Sequence, residues 1–166
     1  MIAPSLGFVL PATDGSIPLN YLINFHLKHN SHHPWIVLSA TNASPEVTVT
    51  YEQLAHAVRK AVHIINPNGS IPQGECVAII AMTDSITYLT LMLGISRAGF
   101  VPFPISPQTQ PADMVHILSA TNTSHVVMAD SPEMLELINA LSAASDRPLT
   151  IIPLPILPNY ILTSEK

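Results

Sequence analysis

What this chain has least of is charge. Of its 166 residues, six are Lys or Arg and eleven are Asp or Glu, so charged side chains make up 10%, against about 25% in an average globular domain. The formal net charge of −5 excludes the basic stripe that a nucleic-acid partner requires. The single cysteine, Cys76, excludes an internal disulfide, and with it the disulfide framework of small secreted domains. No apolar run reaches the roughly 18 residues of a membrane span. Disorder is excluded from the other side, because 48% of the residues are hydrophobic and disorder requires low hydrophobicity with high charge. The six glycines form neither G-x-x-x-x-G-K-[ST] nor G-x-G-x-x-G, so both common phosphate-cradling loops are absent. The nucleophile elbow G-x-S-x-G is absent as well.

The segment MIAPSLGFVLPATDG has no basic residue ahead of its apolar stretch, and Pro4 and Pro11 interrupt it. It does not read as a signal peptide, and the cytoplasm is the expected compartment. The acceptor-like triplets at Asn42, Asn68 and Asn122 then read as chance matches in turn-rich segments. So few charges leave much of the outside apolar or neutral, which suggests contacts missing from this chain.

What is present is alternation. A helix over Leu19 to Lys28, with Leu19, Leu22, Ile23, His26 and Leu27 on one face, precedes a strand-like Trp35–Leu38 and a polar turn from Asn42 to Val47. Thr50 and Gln53 have the spacing of a capping box, and Val49 and Leu54 that of a hydrophobic staple. They open an amphipathic helix, Tyr51 to Ile65, which Asn66-Pro-Asn-Gly69 stops. The continuous apolar run Cys76 to Met82 reads as a strand covered on both faces. Thr83 or Asp84 caps a helix to Ala98, apolar nearly all round and expected to be buried on most sides, with Gly99 as its stop.

Phe100–Phe103 is the next strand, confined by Pro102 to an edge or a strand end. A helix from Pro111 to about Asn122, a strand His125–Ala129, a helix opened by Ser131 and Pro132, and a strand Leu149–Ile152 follow. The order implies an α/β fold, a mainly parallel sheet with helices on both faces. The expected organisation is a lead-in over residues 1–15, an α/β subdomain over 16–153 and a Pro-rich tail over 154–166.

Candidate chemistry is thin. Cys76 opens a buried-type strand and reads as a small hydrophobe rather than a nucleophile. His26, His29, His32 and His33 lie within eight residues. No acid or cysteine accompanies them, so they read as a solvated, cationic helix end rather than a metal site. His56, His63, His116 and His125 are scattered. Glu133 and Glu136 lie three apart, but Glu133 suits the first turn of its helix better than acid–base work. No catalytic, cofactor-binding or metal-ligating residue can be assigned.

Two segments nevertheless carry a resemblance. Val49-Thr-Tyr-Glu-Gln-Leu54 resembles the first core motif of adenylate-forming enzymes, L-[TS]-Y-x-E-L, with Gln53 in place of the acid and Val49 in place of the leucine. Ser96-Arg-Ala-Gly-Phe-Val-Pro-Phe-Pro-Ile105 resembles the second, and Gly74-Glu-Cys-Val-Ala-Ile-Ile between them resembles the family's G-D-x-V-A-I-x strand. The second motif, with Ser106 where the family usually has Asp, is most similar to fungal non-ribosomal-peptide-synthetase-like and aminoadipate-reductase-like adenylation domains.

The resemblance implies the first subdomain of a larger enzyme that activates a carboxylate with ATP and Mg²⁺ and passes it to phosphopantetheine or coenzyme A. Both motifs are scaffold. The family's Ser/Thr/Gly-rich phosphate loop and catalytic lysine have no counterpart here, since the tail reaches Thr163-Ser164 and stops. No catalytic role can therefore be carried onto a position of this chain. The expected partner is the remainder of the adenylation domain or an equivalent surface, with no cofactor bound by this chain alone. The alternative expectation is a non-catalytic interaction module that pairs with a partner or with itself.

Overall fold

The computed structural model describes residues 7–40, 46–145 and 147–155. They divide into two compact units, residues 7–59 and 60–155, the division falling inside one helix.

In the first unit, helix α1 (Leu19–His29) precedes strands β1 (Pro34–Leu38) and β2 (Val47–Thr50), and helix α2 (Tyr51–Ile65) begins. β1 and β2 pair antiparallel, with Ile36 opposite Val49 and Leu38 opposite Val47. This corrects the sequence reading in two respects. The β1 strand is no part of the parallel sheet, and Val47 to Thr50 is a strand where a turn ending at Val47 was expected. The reason is local, since Val-Thr-Val-Thr alternates β-branched residues with the period of a pleat. Of the polar turn itself, residues 41–45 lie outside the described residues.

The capping box forms as its spacing requires. The Thr50 hydroxyl accepts from the Gln53 N–H at 3.3 Å, and the Gln53 side-chain oxygen accepts from the Thr50 N–H at 2.9 Å. Val49 and Leu54, the staple pair, are both buried.

The second unit is built on a parallel sheet of order β4-β3-β5-β6, where β3 is Cys76–Ile80, β4 Val101–Pro104, β5 His125–Met128 and β6 Thr150–Pro153. Helices α3 (Ser85–Arg97), α4 (Pro111–Ala120) and α5 (Pro132–Ala144) connect the strands. The strands read as unbroken apolar runs because both faces are covered. On one face Val77, Ile79, Val127 and Ile152 meet Ala61 and Ile65 of α2 and Leu91 and Ile95 of α3. On the other, Ala78, Ile80, Val126 and Met128 meet Met114 and Leu118 of α4 and Leu141 of α5. Such is the α/β layering that alternation of elements implies.

β4 is an edge strand, as Pro102 requires. The Val101 and Ile105 N–H groups donate to Glu75 and Ile79 of the β3 side. Since successive residues of a strand face opposite ways, the nitrogens of Pro102 and Pro104 face the open side. At β6 the Thr150 and Leu154 N–H groups donate towards β5, which leaves Pro153 facing outwards there.

Helix ends follow their chemistry. Gly99, with φ of 83°, closes α3: its N–H donates to Ser96 and the Phe100 N–H to Ile95. Both bonds and the buried Ile95–Phe100 pair make a Schellman motif. Asn122, with φ of 54°, closes α4 in the same way through Ser119 and Leu118. α3 is buried or half-buried on most sides, as its apolar residues imply, with Ile86, Leu91 and Ile95 buried; Leu89 is the exception at 43% exposed, on the side that the sheet does not cover.

Candidate functional site

In an open α/β sheet, ligands bind beyond the carboxyl ends of the strands, where neighbouring strands send their helices to opposite faces. Here that point lies between β3 and β5. α3 follows β3 onto one face, and α5 follows β5 onto the other. The loops that line it are Ala81 to Asp84 and Ala129 to Ser131, with Ile105 to Gln110 after β4 alongside. Met82 stands 75% exposed at this edge.

Each side chain there is placed by a helix start. Asp84 is the N-cap of α3: Oδ1 accepts from the Ile86 and Thr87 N–H groups at 3.0 and 2.9 Å, and Oδ2 accepts from the Thr87 hydroxyl at 2.6 Å. Burial pushes the Asp84 carboxyl up, but these bonds together outweigh it and hold it below the usual aspartate value. Ser131 caps α5, accepting from the Met134 N–H at 3.3 Å. Glu133 in its first turn is exposed and is held below its usual value by its own backbone N–H and then by the Ser131 hydroxyl. Asp113 occupies the first turn of α4.

What this edge can hold follows from its charge. A polyphosphate is bound by free backbone N–H groups at a helix start or by Lys and Arg. At α3 the first-turn N–H groups are taken by Asp84 itself. Asp84, Asp113, Asp130 and Glu133 all sit on or beside this edge, and its described loops and helix starts contain no Lys or Arg. To a nucleoside triphosphate this edge offers, among its described loops and helix starts, no cationic side chain.

Of the clustered histidines of the first unit, His29 and His32 are exposed as the sequence reading has them, while His26 and His33 are half-buried. His32 lies 3.6 Å from Glu52. The half-buried His26 ring stacks on Tyr51 at 4.3 Å and on Phe8 at 5.5 Å, and burial lowers its pKa from the ordinary value. His33 meets Phe8 edge-on at 5.5 Å, and its buried Nε2 has no hydrogen-bond partner among the described residues. Aromatic contact organises the His26 and His33 rings; among the described residues no group of three potential metal ligands forms. Helical spacing shows that His26 and His29 can share a face of α1, but it carries no sign that Phe8 and Tyr51 converge there.

A second cluster, at the amino ends of the strands, escaped the sequence reading. Ser124 Oγ lies 3.1 Å from His125 Nδ1 and 3.5 Å from Glu75 Oε1, with the half-buried Cys76 next in the chain. Parallel register between β3 and β5 brings them together. In a nucleophilic triad the imidazole takes the hydroxyl proton on one nitrogen and is oriented by an acid on the other. Here the acid approaches the serine instead. The cluster lacks the geometry of nucleophilic activation and lies opposite the edge where ligands bind. His56, His63 and His116 are exposed on α2 and α4, and Glu136 is exposed on α5.

Both motif segments fold as scaffold. The first is the end of β2 with the capping box, and the second is the Schellman closure of α3 leading into β4. Between them, Gln73 Nε2 donates to the Ala98 carbonyl and the Gly74 N–H to the Gly99 carbonyl, each at 2.8 Å.

Comparison with known proteins gives these segments a context. The family model described as AMP-binding enzyme matches residues 28–161. Adenylate-forming reductase Nps11 of Serpula lacrymans var. lacrymans (strain S7.9) is 35% identical over 130 residues, covering 76% of this chain and 12% of that protein. The chain thus spans a small part of its relative. The structure of the anthranilate CoA ligase AuaEII in complex with anthranoyl-AMP superposes with a TM-score of 0.64 at 18% identity, over 86% of this chain and 26% of that one. The N-terminal subdomain of Klebsiella oxytoca NpsA, in complex with 3-hydroxybenzoyl-AMSN, gives 0.62 at 14% identity, over 89% and 32%. Both solved structures speak to the fold.

Proposed function

Because the chain belongs to the AMP-binding enzyme family, we propose that it is the N-terminal part of an ATP-dependent enzyme that activates a carboxylate as its acyl-adenylate. The match over residues 28–161 carries this reading, and the identity to a fungal adenylate-forming reductase supports a parent of that kind. In the whole enzyme ATP, as its Mg²⁺ complex, would supply the adenylyl group with loss of pyrophosphate, and the acyl group would then pass to a thiol of phosphopantetheine or coenzyme A with loss of AMP. Among the described residues no helix is long and apolar enough to cross a membrane.

Alone, this chain is catalytically silent. Its carboxyl edge is lined by acids, and the phosphate-binding and lysine functions come from the remainder of the adenylation domain, which is its partner. Isothermal calorimetry with ATP and Mg²⁺ is expected to give no sub-millimolar binding, and ATP–pyrophosphate exchange no signal above background. Sub-millimolar binding, or any exchange, would overturn the silence of the isolated chain. The coding sequence following the Lys166 codon is expected to carry an in-frame phosphate loop.

The exposed Met82, Leu89 and Leu135 of the second unit favour a second reading. In it the same fold is a non-catalytic module that pairs with a partner or with itself. Light scattering on the eluting chain separates the two, because a clean, stable monomer counts against a partner-dependent module.

A further inference from the structure

The first unit holds an arrangement that the adenylation reading does not use. Asn30, directly after α1, is 1% exposed. Its side-chain amide closes a two-bond ring with one residue of the segment leading into α1. The Val9 N–H donates to Asn30 Oδ1, and Asn30 Nδ2 donates to the Val9 carbonyl, both at 2.8 Å. These bonds to backbone settle which end of the amide is oxygen and which is nitrogen. The same Nδ2 lies 2.8 Å from His26 Nδ1. An amide nitrogen offers only N–H groups, so His26 Nδ1 accepts and the ring proton sits on Nε2.

The surroundings favour that neutral form. Phe8 and Tyr51 stack on the ring, Phe25 meets it edge-on at 5.4 Å, and burial lowers its pKa. The titratable groups around it are Tyr51 on α2, His33 across Phe8, and His29 across Phe25. Of the nearby charged residues, Glu52 of α2 is engaged with the exposed His32 at 3.6 Å, and Lys28 is exposed in the last turn of α1.

We propose that His26 is a proton-operated latch on the segment Phe8-Val9. Neutral, it accepts the bond that holds Asn30 in place against Val9. Protonated at Nδ1 by solvent, it sets an N–H against the Asn30 amide N–H, that bond breaks, and the segment is released. The direction follows from linkage. The clamped form binds the proton less well than the released form, so the clamp is fully favoured above the ordinary histidine pKa of 6.5. It weakens as pH falls below that value and stops weakening below the clamped form's own, lower pKa.

Nitrogen-15 NMR on the 166-residue chain tests this without any substitution. The neutral His26 ring is expected as the Nε2–H tautomer, titrating below 6.5. Hydrogen-exchange protection of the Val9 amide, corrected for intrinsic rate, is expected to fall up to about ten-fold per pH unit over the window between the two pKa values. Protection across β3 is expected to stay constant there. The variant His26→Phe keeps an aromatic ring against Tyr51 and cannot titrate, so its Val9 protection is expected to be flat with pH. A neutral Nδ1–H tautomer, titration at or above 6.5, or an equal fall of Val9 protection in His26→Phe would overturn the latch.

Discussion

Gly99 combines two requirements at one position. Its φ of 83° lies where a side chain is strained, and a Cβ there would collide with the Gln73 side-chain amide that donates to Ala98. Gly99→Ala is expected to lower stability by about 1–2 kcal/mol, the cost of a left-handed conformation for an L-residue. Gly7→Ala, which meets no atom within 4 Å, is expected to have little effect in the same urea titration. The helix stop was legible in the sequence, because glycine after an apolar periodic run is how such a motif reads. The Gln73 contact was not, since it depends on where another turn folds back. Thr90 shows the converse. In the sequence it is an ordinary hydroxyl of a mostly apolar helix, yet it is fully buried and, among the described residues, its Oγ1 has no partner. Thr90→Val removes an unsatisfied donor at nearly constant shape, so it is expected to be neutral or to stabilise by about 1 kcal/mol. Thermal unfolding of the pair of proteins reads the sign.

Elements with an internal period were legible, and elements defined by a partner were not. Helix α2 announced itself through Thr50, Gln53 and the three-and-four spacing of its apolar residues, all contained in one stretch. β2 did not, because four residues carry little period and their pairing with β1 crosses a loop. α3 illustrates the limit from another side. Its apolar residues wrap nearly all round, and no pattern within the helix says which of them a sheet will cover. Leu91 is fully buried against the sheet while Leu89 is 43% exposed. Leu91→Ala is therefore expected to cost about 2–5 kcal/mol, the range for a leucine cavity in a close-packed core. Leu89→Ala is expected to change stability by less than about 0.5 kcal/mol. Denaturant midpoints with an unchanged m-value would check both. For the His26 arrangement, no signal within α1 points to Phe8 or Val9, because they arrive from the chain ahead of it.

Across the whole molecule, stability is unevenly distributed. β3 and β5 are interior strands with both neighbours present and both faces covered. β1 and β2 form a two-stranded ladder with Val37 and Leu38 exposed on it, and such hairpins are marginal by themselves. Native-state hydrogen exchange is expected to show its slowest amides in Val77–Ile80 and Val126–Met128, with those of the hairpin exchanging first. Comparable protection in the two ladders would contradict that distribution. The fold class was legible at this scale because alternating helices and unbroken apolar strands leave few architectures open. The candidate site was not, for the motifs that carry the resemblance are structural and the edge beyond the strands is set by caps.

The proline nitrogens at the rims of the parallel sheet bear on a hazard that any open sheet faces. An exposed strand can recruit a strand from another molecule, and proteins commonly guard against this with lysines. This chain has almost none to spend. On β4 both Pro102 and Pro104 turn a nitrogen without hydrogen towards the open side, and on β6 Pro153 does the same. An incoming strand would find carbonyls to donate to but few donors in return, so a ladder could not close. A sheet that is guarded by covalent structure rather than by charge stays guarded at any ionic strength and any pH. For a chain so poor in charge, resistance to fibril-like growth is thus written into its rims.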